Sequence, residues 1–192
     1  MFSRVLFLIV FAAVFNSCGA AVEKKSVKSY VLGLKSGDPK YTPLIKTLIA
    51  DYNAGLGMRV LDFSESMDDA NSPVLITKGL ERRDGKVGWG KWISQTQRAG
   101  TVVPVPGTVM NETVTYSLQI ELDQDFLDGN QRKASNGGLN DDLRKLFAHE
   151  IGHGFQLEHV SNIKDVMFED IAGDKDFSLY WPRVRAFFET AD

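Results

Sequence analysis

The most informative segment of the sequence is Leu139-Asn-Asp-Asp-Leu-Arg-Lys-Leu-Phe-Ala-His-Glu-Ile-Gly-His153, which has the pattern of an amphipathic helix. Its apolar residues recur every four positions and therefore share one face: Leu139, Leu143, Phe147 and Ile151. Asn140 is a favoured N-cap residue, and the two aspartates after it suit the positive first turn of a helix. We therefore expect a helix that begins near Asn140 and packs its apolar face on the rest of the domain.

Off the apolar stripe, this helix carries the pattern His-Glu-x-x-His at residues 149–153. Two histidines four residues apart project from the same face, so both imidazoles can reach one metal ion at about 2.0–2.1 Å. Glu150 lies about 100° further around the helix, where it can reach a water molecule beside the metal without binding the metal. Two histidines leave positions for a third protein ligand and for solvent, as in catalytic rather than structural zinc sites.

The remaining histidine of the chain, His159, lies six residues beyond His153. On an unbroken helix six residues correspond to about 240°, and the two side chains could not then share an ion. The helix must therefore end between them if all three histidines bind one metal. Gly154 is the residue most able to permit this, and we expect a break between Gly154 and Gln156.

The run His149-Glu-Ile-Gly-His-Gly-Phe-Gln-Leu-Glu-His159 resembles H-E-x-x-H-x-x-G-x-x-H, the long zinc motif of the metzincin metalloproteases. A little further on, Asp165-Val-Met-Phe168 resembles the Met-turn of that family, whose methionine lies beneath the zinc site. The segment from Leu146 to Phe168 is most similar to the matrixin branch. The specific match is confined to this segment, and the rest of the similarity is architectural.

The resemblance implies a fold of the α+β class. Its parts would be a mixed twisted sheet, a packing helix, an active-site helix and a closing C-terminal helix, here over residues 177–189. The substrate, a protein or peptide, would lie extended against an exposed strand edge in the region from Trp92 to Val109 or in the strand nearby. Tyr180 could help to stabilise the reacting oxygen, but we expect it to be a core or interface residue.

The resemblance also implies the residues of the site. One catalytic Zn²⁺ would be bound by His149, His153 and His159, with Met167 as structural support beneath it. Glu150 would be the general base of a zinc-dependent metalloendopeptidase, which hydrolyses peptide bonds with metal-activated water.

One position departs from the family pattern: Gln156 replaces the motif's glycine, and a glycine lies two positions earlier. Because the family glycine lets the chain turn sharply, Gln156 must take an unfavourable backbone conformation or the turn must move. If the turn fails, a carboxylate such as Glu169 would replace His159 as third ligand, in a zinc peptidase of another clan. The other alternative is an exported zinc-binding or interaction protein without hydrolytic activity, although zinc binding alone does not require Glu150.

The amino terminus has the features of a secretory signal peptide over residues 1–20. Arg4 precedes an uninterrupted apolar run of eleven residues, Val5–Phe15, which is too short for a membrane span but suits a signal-peptide core. The catalytic domain is then expected over residues 25–192. We therefore expect an exported protein, secreted to the extracellular space or located in the periplasm.

The fate of the single cysteine, Cys18, is left open by the sequence. It follows the apolar core as the lipid-bearing cysteine of a bacterial lipoprotein signal does, and lipid there would tether the mature protein to a membrane. Alternatively, cleavage near Ala20 or Ala21 removes Cys18 and releases a soluble protein. One cysteine also excludes an internal disulfide and a zinc cluster built from thiolates.

The composition of the 192-residue chain suits one globular domain, with 43% hydrophobic and 24% charged residues. The net charge of −3 leaves no basic surplus for nucleic acid. We expect a monomer whose partner is its protein or peptide substrate.

Acidic side chains offer a second candidate ion, a structural Ca²⁺. One candidate group is Asp123, Asp125 and Asp128, and the acidic carboxyl-terminal region offers others. A solvated acidic face is the simpler explanation for most of these residues.

The preceding sequence predicts a sheet with one early helix. Residues 26–34, 58–63, 73–77 and 113–122 have strand patterns. A helix is predicted between the first two strands, ending at Gly55 and Gly57, from apolar residues at helical spacing: Leu44, Ile45, Leu48, Ile49 and Tyr52. The order strand, helix, strand, strand implies a crossover and at least one parallel pairing.

Two segments carry weak signals. Glycines and prolines interrupt the sequence between Asp84 and Asn111, so we expect no long element there. Trp89 and Trp92 in that segment are expected to cover the sheet rather than to line a cleft. Residues 123–138 are polar and contain Asp128-Gly and Gly137-Gly138, which predicts a loop.

Overall fold

The computed structural model describes residues 30–80, 86–99, 111–133 and 139–189. Within these ranges the fold belongs to the α+β class, with a mixed sheet of five strands and four α-helices. The predicted signal peptide and Cys18 lie outside the described residues, as do residues 100–110 of the expected substrate-binding region. In the described ranges, no helix is both long enough and apolar enough to cross a membrane.

The strands are β1 Tyr30–Ser36, β2 Leu61–Phe63, β3 Ser72–Thr77, β4 Gly88–Ala99 and β5 Asn111–Asp123. They form one sheet in the order β2-β1-β3-β5-β4. β1 pairs in parallel with both β2 and β3, and β3 pairs in parallel with β5. β4 runs antiparallel to β5 and forms one edge of the sheet. The predicted crossover with parallel pairing is therefore confirmed.

The helices are α1 Thr42–Leu56, α2 Gln124–Lys133, α3 Asp141–Gly154 and α4 Phe177–Glu189, and a 3-10 turn at Pro39–Tyr41 precedes α1. α1 buries its predicted apolar face and is capped by Gly57, whose backbone is left-handed with a φ of 77°. The prediction that Gly55 also ends this helix is wrong, because Gly55 lies within α1. There the indole ring of Trp181 packs where a side chain would begin.

One hydrophobic core joins the sheet to α1, α3 and α4. α1 contacts β2, α3 contacts β4 and β5, and the two helices contact each other. On α4, the buried hydroxyl of Tyr180 donates to the carbonyl of Ala148 on α3 at 2.6 Å. The same hydroxyl lies 2.9 Å from that of Tyr52 on α1. Tyr180 is therefore a core residue, as expected, and it links the three helices.

The prediction that no long element forms between Asp84 and Asn111 is wrong, since β4 extends over 12 residues. Each residue of β4 pairs with one of β5, and this cross-strand pairing is invisible to the local pattern of β4 alone. Its glycines mark close packing rather than an interruption, because a Cβ on Gly88 or Gly90 would collide with Glu150 of α3. β4 can therefore lie directly against the helix.

The prediction of a loop over residues 123–138 is also wrong for its first part, which forms α2. The carboxylate of Asp123 accepts a hydrogen bond from the N–H of Phe126 at 2.8 Å and caps this helix. Leu127 is only 1% exposed, so α2 contributes to the core despite its polar composition. A cap and one buried leucine thus outweigh the low helix propensity of Gly129.

The two tryptophans of β4 have different surroundings. Trp92 is partly buried on the core, with its ring centroid 6.5 Å from that of Phe187 on α4, as a covering residue should be. Trp89 instead borders the cleft beside the histidines, contrary to expectation.

The first carboxylates considered for calcium have other roles. Asp123 caps α2, while Asp128 accepts a hydrogen bond from the hydroxyl of Tyr41 at 2.7 Å and pairs with Lys40 at 3.2 Å. Within the described ranges, acidic side chains do not assemble into a group of three that could hold an ion. The calcium prediction has no support from these residues.

Candidate metal centre

α3 begins and packs as its sequence predicts. The side chain of Asn140 accepts a hydrogen bond from the N–H of Asp142 at 2.7 Å, which caps the helix. The predicted apolar stripe faces the core, where its members from Leu143 onward are at most 2% exposed. With that face fixed, α3 presents its polar side to a cleft: His149, Glu150 and His153.

The end of α3 turns sharply, as the third histidine requires. The helix ends at Gly154, and the N–H of Gln156 then donates to the carbonyl of His153 at 3.0 Å. The N–H of Leu157 donates to the carbonyl of Gly152 at 2.9 Å. These two bonds form a Schellman motif, which needs one residue in the left-handed conformation. That residue is Gln156, with a φ of 62°, so the predicted break is confirmed and forms at glutamine.

The turn brings the three histidines together. Nε2 of His153 lies 3.1 Å from Nε2 of His149 and 3.0 Å from Nε2 of His159, and the third separation is 3.2 Å. In the described part of the chain, these three residues are the group of metal-ligating side chains close enough to hold an ion. Glu169, considered as an alternative ligand, borders the cleft but is not part of this cluster.

Two of the rings have their protonated nitrogen fixed by hydrogen bonds. Nδ1 of His149 lies 2.7 Å from the carbonyl oxygen of Val166, and Nδ1 of His153 lies 2.9 Å from that of Leu157. Because a carbonyl only accepts, Nδ1 carries the proton in each neutral ring and Nε2 carries a lone pair. Burial lowers the pKa of His149 to about 4 and also lowers that of His153, which favours neutral rings.

The donor set fits a metal ion. The Nε2 lone pairs of His149 and His153 lie 3.1 Å apart and repel one another unless a cation lies among the rings, and Nε2 of His159 lies 3.2 and 3.0 Å from the same two atoms. Tetrahedral zinc with nitrogen ligands at about 2.0–2.1 Å separates them by about 3.3–3.4 Å, close to the spacing here. Neutral imidazoles are also common ligands of zinc and of other divalent transition metals.

Glu150 is buried beside the cluster. A Cβ on Gly88 would lie 2.6 Å from its Oε1, so the carboxylate fills the space left by that glycine. Burial raises the pKa of Glu150 to about 8, while the charge of Lys86 acts in the opposite direction. A divalent cation bound to the adjacent histidines would act in the same direction as Lys86 and favour the ionised carboxylate.

Met167 lies in a tight turn that supports α3. The N–H of Phe168 donates to the carbonyl of Asp165 at 3.1 Å, and the carboxylate of Asp165 accepts from the N–H of Met167 at 2.8 Å. The turn's Val166 carbonyl is the partner of His149 Nδ1. Met167 is fully buried, and its sulfur packs against Gly152, between the first two histidines. The turn thus supports the helix and also orients one histidine ring.

A cleft of about 790 Å³ opens beside the histidines. α3 lines it with Leu146 as well as with the site residues, and the segment Glu169–Gly173 forms another wall. Sequence reasoning missed the remaining walls, which come from α2, from β4 and from the two residues before β4: Lys86, Val87, Gly88, Trp89 and Phe126. The alternating glycines around Trp89 were an available signal, since glycine in a strand often marks close approach of another backbone.

No family model matches the chain, and no match to a curated protein reaches significance. The fold and the site together define an α+β protein whose three clustered histidines lie close enough to bind a metal ion.

Proposed function

We propose that this protein is a zinc-dependent metalloendopeptidase of the metzincin type, similar to the matrixins. The proposal rests on the convergence of three Nε2 atoms, 3.0–3.2 Å apart, in a cleft that also contains the buried Glu150. The mixed sheet, the helix that carries the histidines, the methionine turn and the C-terminal helix support it further, because the resemblance implies each of them.

Each site residue would have a defined role. His149, His153 and His159 would hold the ion through Nε2. When bound, Zn²⁺ would polarise a water molecule and the carbonyl of the scissile bond. Glu150 would accept the proton of that water and later deliver it to the leaving amine. The buried surroundings of Glu150 and His149 would strengthen these electrostatic interactions, because little bulk water screens them.

The substrate would bind along β4. This strand is at the edge of the sheet, and Gly88 and Gly90 bring its backbone against α3 at Glu150. An extended peptide that adds to a strand edge gains backbone hydrogen bonds and offers alternate side chains to the walls of the cleft. The start of β4, with Trp89, borders the histidines, so the peptide would contact this part as well as the region from Trp92 onward.

The signal-peptide pattern of residues 1–20 supports the further proposal that the enzyme is exported and works outside the cytoplasm. Whether it is tethered or released depends on Cys18. Mass spectrometry of the mature protein would distinguish a lipid-bearing amino-terminal Cys18 from an amino terminus formed near Ala20 or Ala21.

The proposal is tested by casein cleavage with zinc content measured on the same samples. Glu150→Gln removes the base while keeping the size of the side chain, and it should lower the rate by about 10²–10⁴-fold. One zinc per chain should be bound by this variant and by the wild type. Glu65→Gln is the matched control, because its side chain is exposed, pairs with Lys46 and does not border the cleft, and it should cleave like the wild type.

Zinc binding without cleavage of casein or of short peptides by the wild type would contradict the peptidase proposal and favour an exported zinc-binding protein. Unchanged zinc affinity in His159→Ala would reject only the third ligand and would favour the clan that uses a carboxylate.

A further inference from the structure

His159 differs from the other two histidines in how its ring is held. Nδ1 of His149 and Nδ1 of His153 each bond to a backbone carbonyl, at 2.7 and 2.9 Å. Among the described residues, Nδ1 of His159 has no such partner, and the side chain is exposed. The placement of this ring therefore depends chiefly on the backbone that carries it.

That backbone is bound on both sides of His159. On the far side, the N–H of Val160 donates to the carbonyl of Met167 at 3.1 Å. On the near side, the carbonyl of Glu158 accepts a hydrogen bond from Nη2 of Arg183, on α4, at 3.3 Å. The two bonds bracket the histidine.

The same guanidinium also reaches the methionine turn. Nη1 of Arg183 lies 3.1 Å from Oδ2 of Asp165, a carboxylate that is 7% exposed. The other oxygen of Asp165 accepts from the N–H of Met167, whose carbonyl in turn binds Val160. One side chain is thus connected to both ends of the segment that carries His159.

We propose that Arg183 is a positioning residue for the third metal ligand. From α4 it fixes the spacing between the backbone before His159 and the turn that binds the backbone after it. An arginine suits this role because its planar fork has donors in fixed directions, whereas lysine offers a point charge on a flexible stem. The inference rests on the proposed metal centre but not on peptide hydrolysis.

The test is the zinc affinity of Arg183→Lys, measured in the full chain by competition with a chelator. Lysine keeps a positive charge opposite Asp165 but cannot reproduce both fixed bonds, and affinity should fall about 10-fold, as for other residues that orient metal ligands. Arg185→Lys is the matched control on the same helix. Arg185 donates through Nε and Nη2 to the carbonyl of Leu56, at 3.0 and 2.8 Å, away from the histidines. The zinc affinity of the Arg185→Lys protein should therefore equal that of the wild type.

A double-mutant cycle with His159→Ala separates positioning from a general effect on folding. If Arg183 acts through His159, Arg183→Lys should cause no further loss in the His159→Ala protein. The inference would be overturned if Arg183→Lys bound zinc as tightly as the wild type, or if Arg185→Lys lost as much zinc affinity as Arg183→Lys. It would also be overturned if Arg183→Lys lowered zinc affinity as much in the His159→Ala protein as in the wild type. A wild-type protein that binds no zinc would instead overturn the proposed metal centre.

Discussion

The sulfur atom of Met167 occupies the space that a side chain on Gly152 would need. A Cβ at Gly152 would also lie 3.1 Å from the ring of Tyr180 and 3.2 Å from the terminal methyl of Met167. Because Gly152 directly precedes His153, this contact joins the methionine turn to the part of α3 that carries the histidines. Packing therefore restricts the residue at Gly152, although the pattern His-Glu-x-x-His leaves that position unspecified.

Gly152→Ala should destabilise the protein. The added methyl must displace a fully buried methionine, and overpacking of this kind costs about 1–3 kcal/mol of unfolding free energy. Urea denaturation measures the change.

Gly129→Ala is the control for this substitution. Gly129 lies in α2 with no atoms within 4 Å of the added Cβ, and alanine there should stabilise by about 0.5–1 kcal/mol. A Gly152→Ala protein as stable as Gly129→Ala would show that Met167 does not fill this space.

Gln156→Gly should stabilise the protein slightly. The left-handed conformation at φ 62° costs a residue with a side chain about 1–2 kcal/mol, and the greater freedom of glycine in the unfolded chain offsets about 0.4–1 kcal/mol of the gain. We expect a net increase of between about 0 and about 1.6 kcal/mol in the free energy of unfolding, measured by urea denaturation.

Gln156→Val provides the opposite case, since a β-branched residue is strongly disfavoured at positive φ. It should be less stable than the wild type and bind zinc more weakly, because the turn to His159 is disturbed. Loss of stability in Gln156→Gly would count against the left-handed turn.

Gly88→Ala should slow catalysis by the proposed mechanism without changing zinc affinity. Its methyl would meet the Glu150 carboxylate 2.6 Å away and displace it, and misplacement of a catalytic group by about 1 Å can cost 10²-fold in rate. The kcat for a peptide substrate should fall by about 10–100-fold.

The effect of Gly88→Ala should also be measured in the Glu150→Asp protein, because the shorter aspartate leaves room beside the carboxylate for the alanine methyl. Gly88→Ala should therefore cost much less in the Glu150→Asp protein than in the wild type. Equal losses in both backgrounds would show that Gly88 does not act through Glu150.

Removal of the metal should lower the melting temperature. If the ion binds only the folded state and its free concentration is 100 times its Kd, it adds about 2.7 kcal/mol to the free energy of unfolding. A chelator should therefore lower the Tm, and added zinc should restore it. Differential scanning calorimetry checks this. His153→Ala is the control, and its Tm should respond far less to the chelator; an unchanged wild-type Tm would contradict metal binding.

Much of the candidate site could be predicted from the sequence, because its determinants are local. The cap at Asn140, the apolar stripe from Leu143 to Ile151 and the spacing of the histidines all follow from helical geometry. The break before His159 followed from the requirement that one ion bind all three histidines.

The parts of the fold and of the candidate site that could not be predicted from the sequence depend on contacts between distant segments. β4 forms through pairing with β5, and its glycines are explained by Glu150, which lies some sixty positions further along the chain. α2 depends on the cap at Asp123 and on burial of Leu127, neither of which its polar composition indicates. Arg183 likewise acts through Glu158 and Asp165, contacts that no pattern within α4 reveals.

The most direct test of the metal centre is anomalous X-ray scattering at the zinc absorption edge, from crystals of the zinc-loaded protein. We predict one zinc peak in the described part of the chain, about 2.0–2.1 Å from each Nε2 of His149, His153 and His159. A peak that lacks any one of these three ligands, or crystals without zinc at this site, would contradict the account.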